Sequence, residues 1–299
     1  MKNRKTKLIS LILIMIASVF VSYLEEAGFS FGLEEESVPS FNESADNLVI
    51  RYIDVGQADA TLIQSNGEYM LIDCGNNEDG NLIVKYFEEM GITKLKYLIG
   101  THPHEDHIGG MDNIIRRFDI GTIYMPDVIT TTKTFNDVLD AISYKRLSYK
   151  VPIINEDFKL GNATVRFIYT GTDNNDLNDA SIILKLTYGN NSFLFAGDAT
   201  KKIEKQILNN NIKADVLKVS HHGSSYSNSN DFLDKVNPKY GIISVGEDNS
   251  YNHPHNEVIN NLNKRNISIY RTDMDGTIIL TSDGENITID SAKTNTNGG

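Results

Sequence analysis

The amino-acid sequence predicts an α/β fold in which helices cover two mixed β-sheets. Apolar runs of strand length lie close together near both ends of the folded region, and strands alternate with helices in the middle of each half. This region, about 245 residues, is long enough to bury a core of its own. The sequence shows no internal repeat and no clear second domain.

The first half of the folded region begins with strands and continues with strand–helix alternation. Its strands are short apolar runs bounded by turn-forming residues, and its first helix stops at Gly91, a residue type common just after helix ends. The predicted strands are 48–55, 60–64, 68–73, 95–101 and 122–125, and the predicted helices are 82–90, 112–118 and 136–146.

The second half repeats this alternation and closes with strands. A Gly-Asn-Asn turn at 189–191 joins two of its strands into a hairpin. The predicted strands are 163–168, 181–187, 192–196, 215–219, 240–245, 267–270, 277–280 and 287–289, and the predicted helices are 201–208, 231–236 and 256–264.

The chain begins with a basic stretch at 2–7, which an almost unbroken apolar run at 8–24 follows. This pattern predicts a secretory signal peptide or an N-terminal membrane anchor over residues 1–24, and both alternatives stay open. Residues 25–46 read as an acidic linker, 47–290 as the folded domain and 291–299 as a flexible tail. We therefore expect an exported protein that is extracellular or anchored at the outer face of the cytoplasmic membrane.

Composition limits the classes of partner. The formal net charge is −12, which argues against a broad basic groove for nucleic acid. A single cysteine, Cys74, excludes an intramolecular disulfide, so the core and a metal must supply the stability. The sequence shows no feature that indicates a protein partner.

All seven histidines fall into three short clusters, and the first lies between a predicted strand and a Gly-Gly turn. It reads His102-Pro-His104-Glu-Asp106-His107, which places three imidazoles and a carboxylate within six positions. His102 and His104 can face one metal ion, while Asp106 and His107 face a second. The cluster therefore predicts the beginning of two adjacent metal sites.

This cluster, with Gly109-Gly110 after it and Leu71-Ile-Asp-Cys-Gly75 before it, resembles the metallo-β-lactamase superfamily. More narrowly, residues 48–290 look like the hydrolase-like domain of the ComEC competence-protein family, without its membrane-channel portion. The resemblance implies an αββα sandwich of two mixed β-sheets flanked by helices, with a dinuclear metal site at the sheet edge. The matching motifs are Asp54-Val-Gly-Gln-Ala-Asp-Ala60 (with Ala58 where glycine is usual), Asn178-Asp-Ala-Ser181, Phe195-Ala-Gly-Asp198, Leu217-Lys-Val-Ser-His-His-Gly-Ser224, Asn252-His-Pro254 and Arg271-Thr-Asp-Met-Asp-Gly276.

Later segments supply further candidate ligands. Asp198, after a strand, is suited to bridge both metals, although alone it also reads as a helix N-cap. One of His221 and His222 completes the second metal site, with a preference for His222 because His221 would then continue the strand. No histidine lies between the first cluster and these two, so the first metal keeps His102, His104, Asp198 and water.

Four more residues are candidates for catalysis or substrate binding. Asp73 is expected to hydrogen-bond a ligand or the reacting water, with a turn aspartate as the alternative. His253 is expected to bind a phosphoryl oxygen or to protonate a leaving group, with a surface histidine as the alternative. Ser224 and Ser225 offer hydroxyl and N–H groups as an anion cradle. Asp54 and Asp59 are expected only to shape their turn, and His255 to lie on the surface.

The predicted reaction is hydrolysis by a metal-bound hydroxide on two divalent ions, with zinc favoured by the histidines and manganese as an alternative. The resemblance points to a phosphodiester substrate, with DNA first, so Asp106 and Asp198 would position the metals of a nuclease. Two alternatives stay open. One is a hydrolase of a small or cell-envelope phosphoester, like a phosphorylcholine esterase, and the other is a non-catalytic, metal-stabilised DNA-binding module.

Overall fold

The computed structural model describes residues 46–172 and 175–293, in which strands and helices alternate largely as the sequence predicts. The strands are β1 (Leu48–Tyr52), β2 (Thr61–Ser65), β3 (Glu68–Ile72), β4 (Lys94–Ile99), β5 (Asp119–Tyr124), β6 (Tyr149–Lys150), β7 (Asp157–Leu160), β8 (Ala163–Tyr169), β9 (Ile183–Tyr188), β10 (Asn191–Phe195), β11 (Val216–Lys218), β12 (Tyr240–Ile243), β13 (Ser268–Arg271), β14 (Ile278–Ser282) and β15 (Ile287–Ser291). The described α-helices are α1 (Gly80–Glu89), α2 (Glu105–Ile108), α3 (Met111–Arg117), α4 (Lys133–Tyr144), α5 (Lys201–Ile207), α6 (Asn230–Val236), α7 (Asn256–Asn263) and α8 (Thr272–Asp275).

The described strands form two mixed sheets. The first has the order β15-β14-β1-β2-β3-β4-β5-β6, and its strands from β3 to β6 run parallel. The second has the order β13-β12-β11-β10-β9-β8-β7, with β10 to β13 parallel. Each sheet is thus antiparallel on one side and parallel on the other, and its parallel strands are connected through helices.

Three apolar clusters lie between the layers of the fold. One lies between the sheets and includes Tyr52 and Phe195, whose rings stack with centroids 6.3 Å apart. A second packs α1, α3 and α4 onto the first sheet, and a third packs α5, α6 and α7 onto the second. Burial of one large apolar side chain in such a core stabilises the fold by roughly 1.5–3 kcal/mol. The predicted αββα sandwich is confirmed.

The sequence prediction missed β6, β7, α2 and α8. Strand β7 reads Asp-Phe-Lys-Leu and β6 only Tyr-Lys, and both lie at sheet edges, where exposed positions carry polar residues. Helices α2 and α8 are each four residues long, which is too short for a helical period to show, and α2 lies inside the histidine cluster. The last strand also extends to Ser291, into the predicted tail.

The predicted signal or anchor (1–24) and most of the acidic linker lie outside the described residues. Across 46–172 and 175–293, no helix has the length and apolar character that a membrane crossing needs.

The buried hydroxyl of Tyr52 leads to a prediction about the stability of the fold. It lies in the core between the sheets, and no hydrogen-bond partner reaches it from the described residues. Because an unsatisfied buried hydroxyl is costly, Tyr52→Phe should stabilise the fold by about 1 kcal/mol. Urea unfolding measures this. Tyr188→Phe is the control, because its hydroxyl donates to the Asp46 carbonyl and its loss should destabilise. A less stable Tyr52→Phe variant would contradict the assignment.

Candidate metal centre

The candidate site lies where strands of both sheets end. The His102–His107 segment follows β4, Asp198 follows β10, and the His221-His222 pair follows β11. Asp73 follows β3, the parallel neighbour of β4. Loops after the carboxyl ends of neighbouring parallel strands share one edge, which explains how residues far apart in sequence converge there.

The first histidine loop is fixed by close backbone contacts. The Cys74 N–H donates to the His107 carbonyl at 2.7 Å, and the Gly109 N–H donates to the Gly75 carbonyl at 2.9 Å. A Cβ atom on Gly109 would lie 2.1 Å from the backbone carbon of Asn76, so only glycine fits there. The Gly-Gly turn thus lets the loop lie directly against the Asp73 turn.

Four side chains form one compact ligand group: Asp106, His107, Asp198 and His222 have ligand atoms within 4.8 Å of one another. His222 Nε2 lies 3.2 Å from Asp106 Oδ2, and His107 Nε2 lies 3.3 Å from Asp198 Oδ1. All but Asp106 are almost fully buried. The group has the size and chemistry of one metal site.

The other oxygen of Asp198 faces a second group of imidazoles. His102 Nε2 lies 4.0 Å and His221 Nε2 3.6 Å from Asp198 Oδ2. His104 Nδ1 is 3.0 Å from His102 Nε2. His222 Nε2 is also 3.9 Å from Asp198 Oδ2, so Asp198 has His107 at one carboxylate oxygen and three imidazoles at the other. His221 thus lies as close to Asp198 Oδ2 as His102 does, a contact that its sequence position did not predict.

Buried polar atoms and charges in the site fit metal ions. Within the described residues, His107 Nε2 and Asp198 Oδ1 are buried without a hydrogen-bond partner, although they face each other. Burial would raise the pKa of Asp198, but nearby His107 and His222 hold that pKa well below its usual range. Burial, followed by the charge of His107, lowers the pKa of His102. Burial would lower the pKa values of His107 and His222, but the charge of Asp198 raises both, so the site attracts positive charge where a metal ion would bind.

The second histidine pair has an unusual backbone. His221 and His222 adopt left-handed conformations, with φ of 53° and 50°. Such conformations cost roughly 1–3 kcal/mol each for residues other than glycine, and they recur at functional sites. They turn both rings toward Asp198. The reason given for preferring His222 was wrong, since β11 ends at Lys218 and neither histidine continues it. The preference itself stays a prediction, which agrees with the place of His222 beside Asp106.

Hydrogen bonds behind the site orient the imidazoles. Asp73 Oδ2 lies 2.8 Å from His107 Nδ1, and its Oδ1 accepts the Thr101 N–H at 2.8 Å. His222 Nδ1 lies 2.9 Å from the Ser244 carbonyl. These contacts direct the Nε2 atoms into the site. Asp73 contacts His107 and Thr101 and is a positioning residue, so the expectation that it orients the nucleophile gains no support from its contacts.

His253 lies next to the second histidine pair. Its ring centroid is 5.7 Å from that of His221 and 6.3 Å from that of His222. Burial, and then the nearby His222 and His221, lower the pKa of His253 to about 4. A neutral ring at neutral pH suits a hydrogen bond to substrate better than protonation of a leaving group.

The predicted anion cradle is largely used within the protein. The Ser225 N–H donates to His255 Nδ1 at 2.9 Å, and the Ser224 N–H donates to the His221 carbonyl at 2.7 Å. Ser224 is buried, and its hydroxyl accepts the N–H of Tyr226. His255, expected as a surface residue, therefore holds this loop. The interaction could not be found from sequence, because 30 residues separate the partners.

Residues 53–247 match the model of the metallo-beta-lactamase superfamily. That match covers more than half of the chain, and the protein belongs to this superfamily. A crystal structure of the metallo-beta-lactamase fold protein YhfI from Bacillus subtilis has a TM-score of 0.50 at 14% identity, covering 76% of this chain and 96% of that one. At this low identity the likeness shows the fold alone.

Two curated relatives are ComEC-like competence proteins, which confirms the narrower resemblance. The chain is 28% identical over 247 residues to ComE operon protein 3 of Bacillus subtilis (strain 168), covering 76% of this chain and 32% of the relative. It is 27% identical over 269 residues to competence protein ComA of Neisseria gonorrhoeae, covering 89% and 34%. The chain thus spans about a third of the length of these relatives.

The contact between Asp73 and His107 leads to a prediction about metal affinity. Asp73→Asn keeps the shape of the side chain but removes the carboxylate that orients His107. Zinc affinity should fall about 10–100-fold, the usual effect of losing such a partner. Competition with a chromophoric chelator measures it. Asp112→Asn, which alters a partly exposed ion pair on α3, is the control. Equal affinities of Asp73→Asn and the unsubstituted protein would show that the contact does not matter.

Proposed function

We propose that this protein is a dinuclear metal-dependent hydrolase that cleaves phosphodiesters. The observation that carries the proposal is the position of Asp198, which has imidazoles at both carboxylate oxygens: His107 at Oδ1, and His102, His221 and His222 at Oδ2. A shared carboxylate between two ligand groups is the arrangement that two neighbouring metal ions need. Membership of the metallo-β-lactamase superfamily supports a hydrolytic reaction.

In this proposal each ion has its own protein ligands. The first would be held by His102, His104 and Asp198, and His221, whose Nε2 is 3.6 Å from Asp198 Oδ2, is a further candidate ligand. The second would be held by Asp106, His107, His222 and Asp198. Zinc suits a site rich in imidazoles, and manganese is the alternative because Asp106 and Asp198 add oxygen ligands.

Other residues bind or orient. With both ions bound, the site would activate water and offset the developing charge of a phosphoryl group. Asp73 keeps His107 in its orientation. His253, half-buried beside the histidine pair, is placed to donate a hydrogen bond to a phosphoryl oxygen, and the hydroxyl of Ser225 is the group of its loop proposed to contact substrate.

DNA is the first candidate substrate, because the relatives are competence proteins and phosphodiesters form the DNA backbone. In the alternative without catalysis, the same centre would stabilise a DNA-binding module. The presence of both carboxylates, Asp106 and Asp198, favours an enzyme.

A specific observation favours a smaller phosphoester as the second candidate. A cleft of about 790 Å³ includes the Asp106 side chain in its wall, and its lining holds neither lysine nor arginine among the described residues. It carries the carboxylates of Asp54, Glu78, Asp79 and Glu105, with the exposed ring of Tyr251. Such walls repel the phosphates of a polynucleotide and suit an ester with a neutral or cationic group, as in a cell-envelope phosphodiester.

We further propose that the protein is exported. Residues 1–24 would then be either a signal peptide that is cleaved or an anchor that stays in the membrane. The basic start and the apolar run that follows it support this. Fractionation of cells that express the full chain tests it, and recovery of the full-length chain in the cytosol alone would contradict it.

The test of catalysis is hydrolysis of bis(p-nitrophenyl) phosphate by the full chain with zinc or manganese. His102→Ala and Asp198→Asn should each lower kcat/KM by at least about 100-fold, because each removes a metal ligand. Asp157→Asn, which breaks an exposed ion pair with Arg166 on an edge strand, is the control.

Three outcomes of this assay are informative. Turnover that only the control variant retains supports the enzyme, and parallel assays with single-stranded DNA and with a choline phosphodiester then separate the two substrates. If the protein binds two metal ions but turns over no phosphodiester, the proposal that it is an enzyme is overturned. Salt-sensitive DNA binding without cleavage would instead support the binding module.

A further inference from the structure

A buried ion pair lies directly behind the metal centre. Lys218 Nζ is 2.8 Å from Asp59 Oδ2, and the two residues are only 3% and 4% exposed. The pair joins segments 159 residues apart, because Asp59 lies in the turn before β2 and Lys218 ends β11 of the other sheet. Charges this deep in a protein are costly unless they are paired.

The backbone of Asp59 connects two loops of the site. Its N–H donates to the Asp106 carbonyl at 3.0 Å, and its carbonyl accepts the Gly75 N–H at 2.8 Å. Lys218 connects the third loop, since His221 and His222 follow it closely. Asp59 is thus tied to the loops that carry Asp106, Asp73 and the second histidine pair.

The carboxylate of Asp59 faces the rear nitrogens of two imidazoles. Its Oδ1 lies 3.5 Å from His222 Nδ1, and its Oδ2 lies 4.0 Å from His107 Nδ1. Both rings direct their Nε2 atoms toward Asp198. Because Asp73 and the Ser244 carbonyl already hold these two nitrogens, Asp59 acts on both rings through its negative charge, which makes each imidazole a stronger ligand for a cation.

Lys218 also supplies a positive charge to one carboxylate of a group that would otherwise attract a cation. Asp59, Asp73 and His107 have ligand atoms within 4.8 Å of one another, so they form a second, wholly buried group that could hold a metal. A metal ion there would compete for His107 from behind. The ammonium group of Lys218, 2.8 Å from Asp59 Oδ2, neutralises one carboxylate of this group and so makes it less attractive to a metal ion.

We infer that Asp59 is a positioning residue for the second metal ion. Lys218 is its counter-charge: it holds Asp59 at the Nδ1 side of His107 and His222, so that the metal binds at their Nε2 side. This inference rests on the dinuclear centre of the proposed function. A well-packed apolar pair would usually be at least as stable as a buried ion pair, so a role for this pair in stability alone does not account for its charges.

The test measures metal binding and folding stability separately. The variants are Asp59→Asn, Lys218→Met and the double variant, each made in the full chain. Zinc stoichiometry and affinity come from calorimetry with chelator competition, and Tm is measured without metal. Lys239→Met is the matched control, because Lys239 pairs with Asp215 at 3.3 Å near the surface, at the other end of the same strand region.

Asp59→Asn should lower the affinity for one of two zinc ions about 10–100-fold and leave the other unchanged. Lys218→Met should lower the metal-free Tm by roughly 10 °C, because it leaves Asp59 buried and unpaired. The double variant should recover that Tm but not the zinc affinity. Lys239→Met should match the unsubstituted protein in both.

Two results would overturn the inference. One is an Asp59→Asn variant that binds two zinc ions as tightly as the unsubstituted protein. The other is a double variant in which affinity recovers together with Tm, since that would show a purely structural pair. These readouts do not involve turnover, so a failure of the proposed phosphodiesterase reaction would be seen separately. An unsubstituted protein that binds no zinc would overturn both proposals.

Discussion

The structure depends on how buried negative charge is compensated at one sheet edge. Asp59, Asp73 and Asp198 are almost fully buried there, with Asp106 beside them. Uncompensated carboxylates in such surroundings would carry a desolvation cost of several kcal/mol each. Lys218 and a set of imidazoles compensate part of this negative charge. Divalent cations bound around Asp198 would compensate the rest. The same electrostatic requirement links folding of this edge to the chemistry proposed for it.

The αββα architecture makes this compensation possible. Each sheet has a parallel half, and the strands of both parallel halves end at the same side of the sandwich. Short loops after β4, β10 and β11 then need to span little distance to bring their side chains together. Gly109 allows the first loop to approach the Asp73 turn, and the left-handed His221-His222 pair turns the last loop inward.

Local sequence was enough to predict the candidate ligands and most of the elements. His102–His107 carries its pattern within six positions, and Asp198 follows a clear strand. The strands β6 and β7 were missed because edge strands need not be apolar. The contacts of Lys218, Asp59 and His255 could not be predicted, because they join distant segments and depend on tertiary packing. The backbone of His221 and His222 was also beyond reach, since nothing in their neighbours marks a left-handed conformation.

Anomalous X-ray diffraction from crystals of the zinc-loaded protein would test the central claim most directly. We expect two peaks about 4 Å apart, on either side of Asp198. One should lie beside Asp106, His107 and His222, and the other beside His102 and His104. A single peak, or a peak between Asp59 and Asp73, would contradict a dinuclear centre built around Asp198.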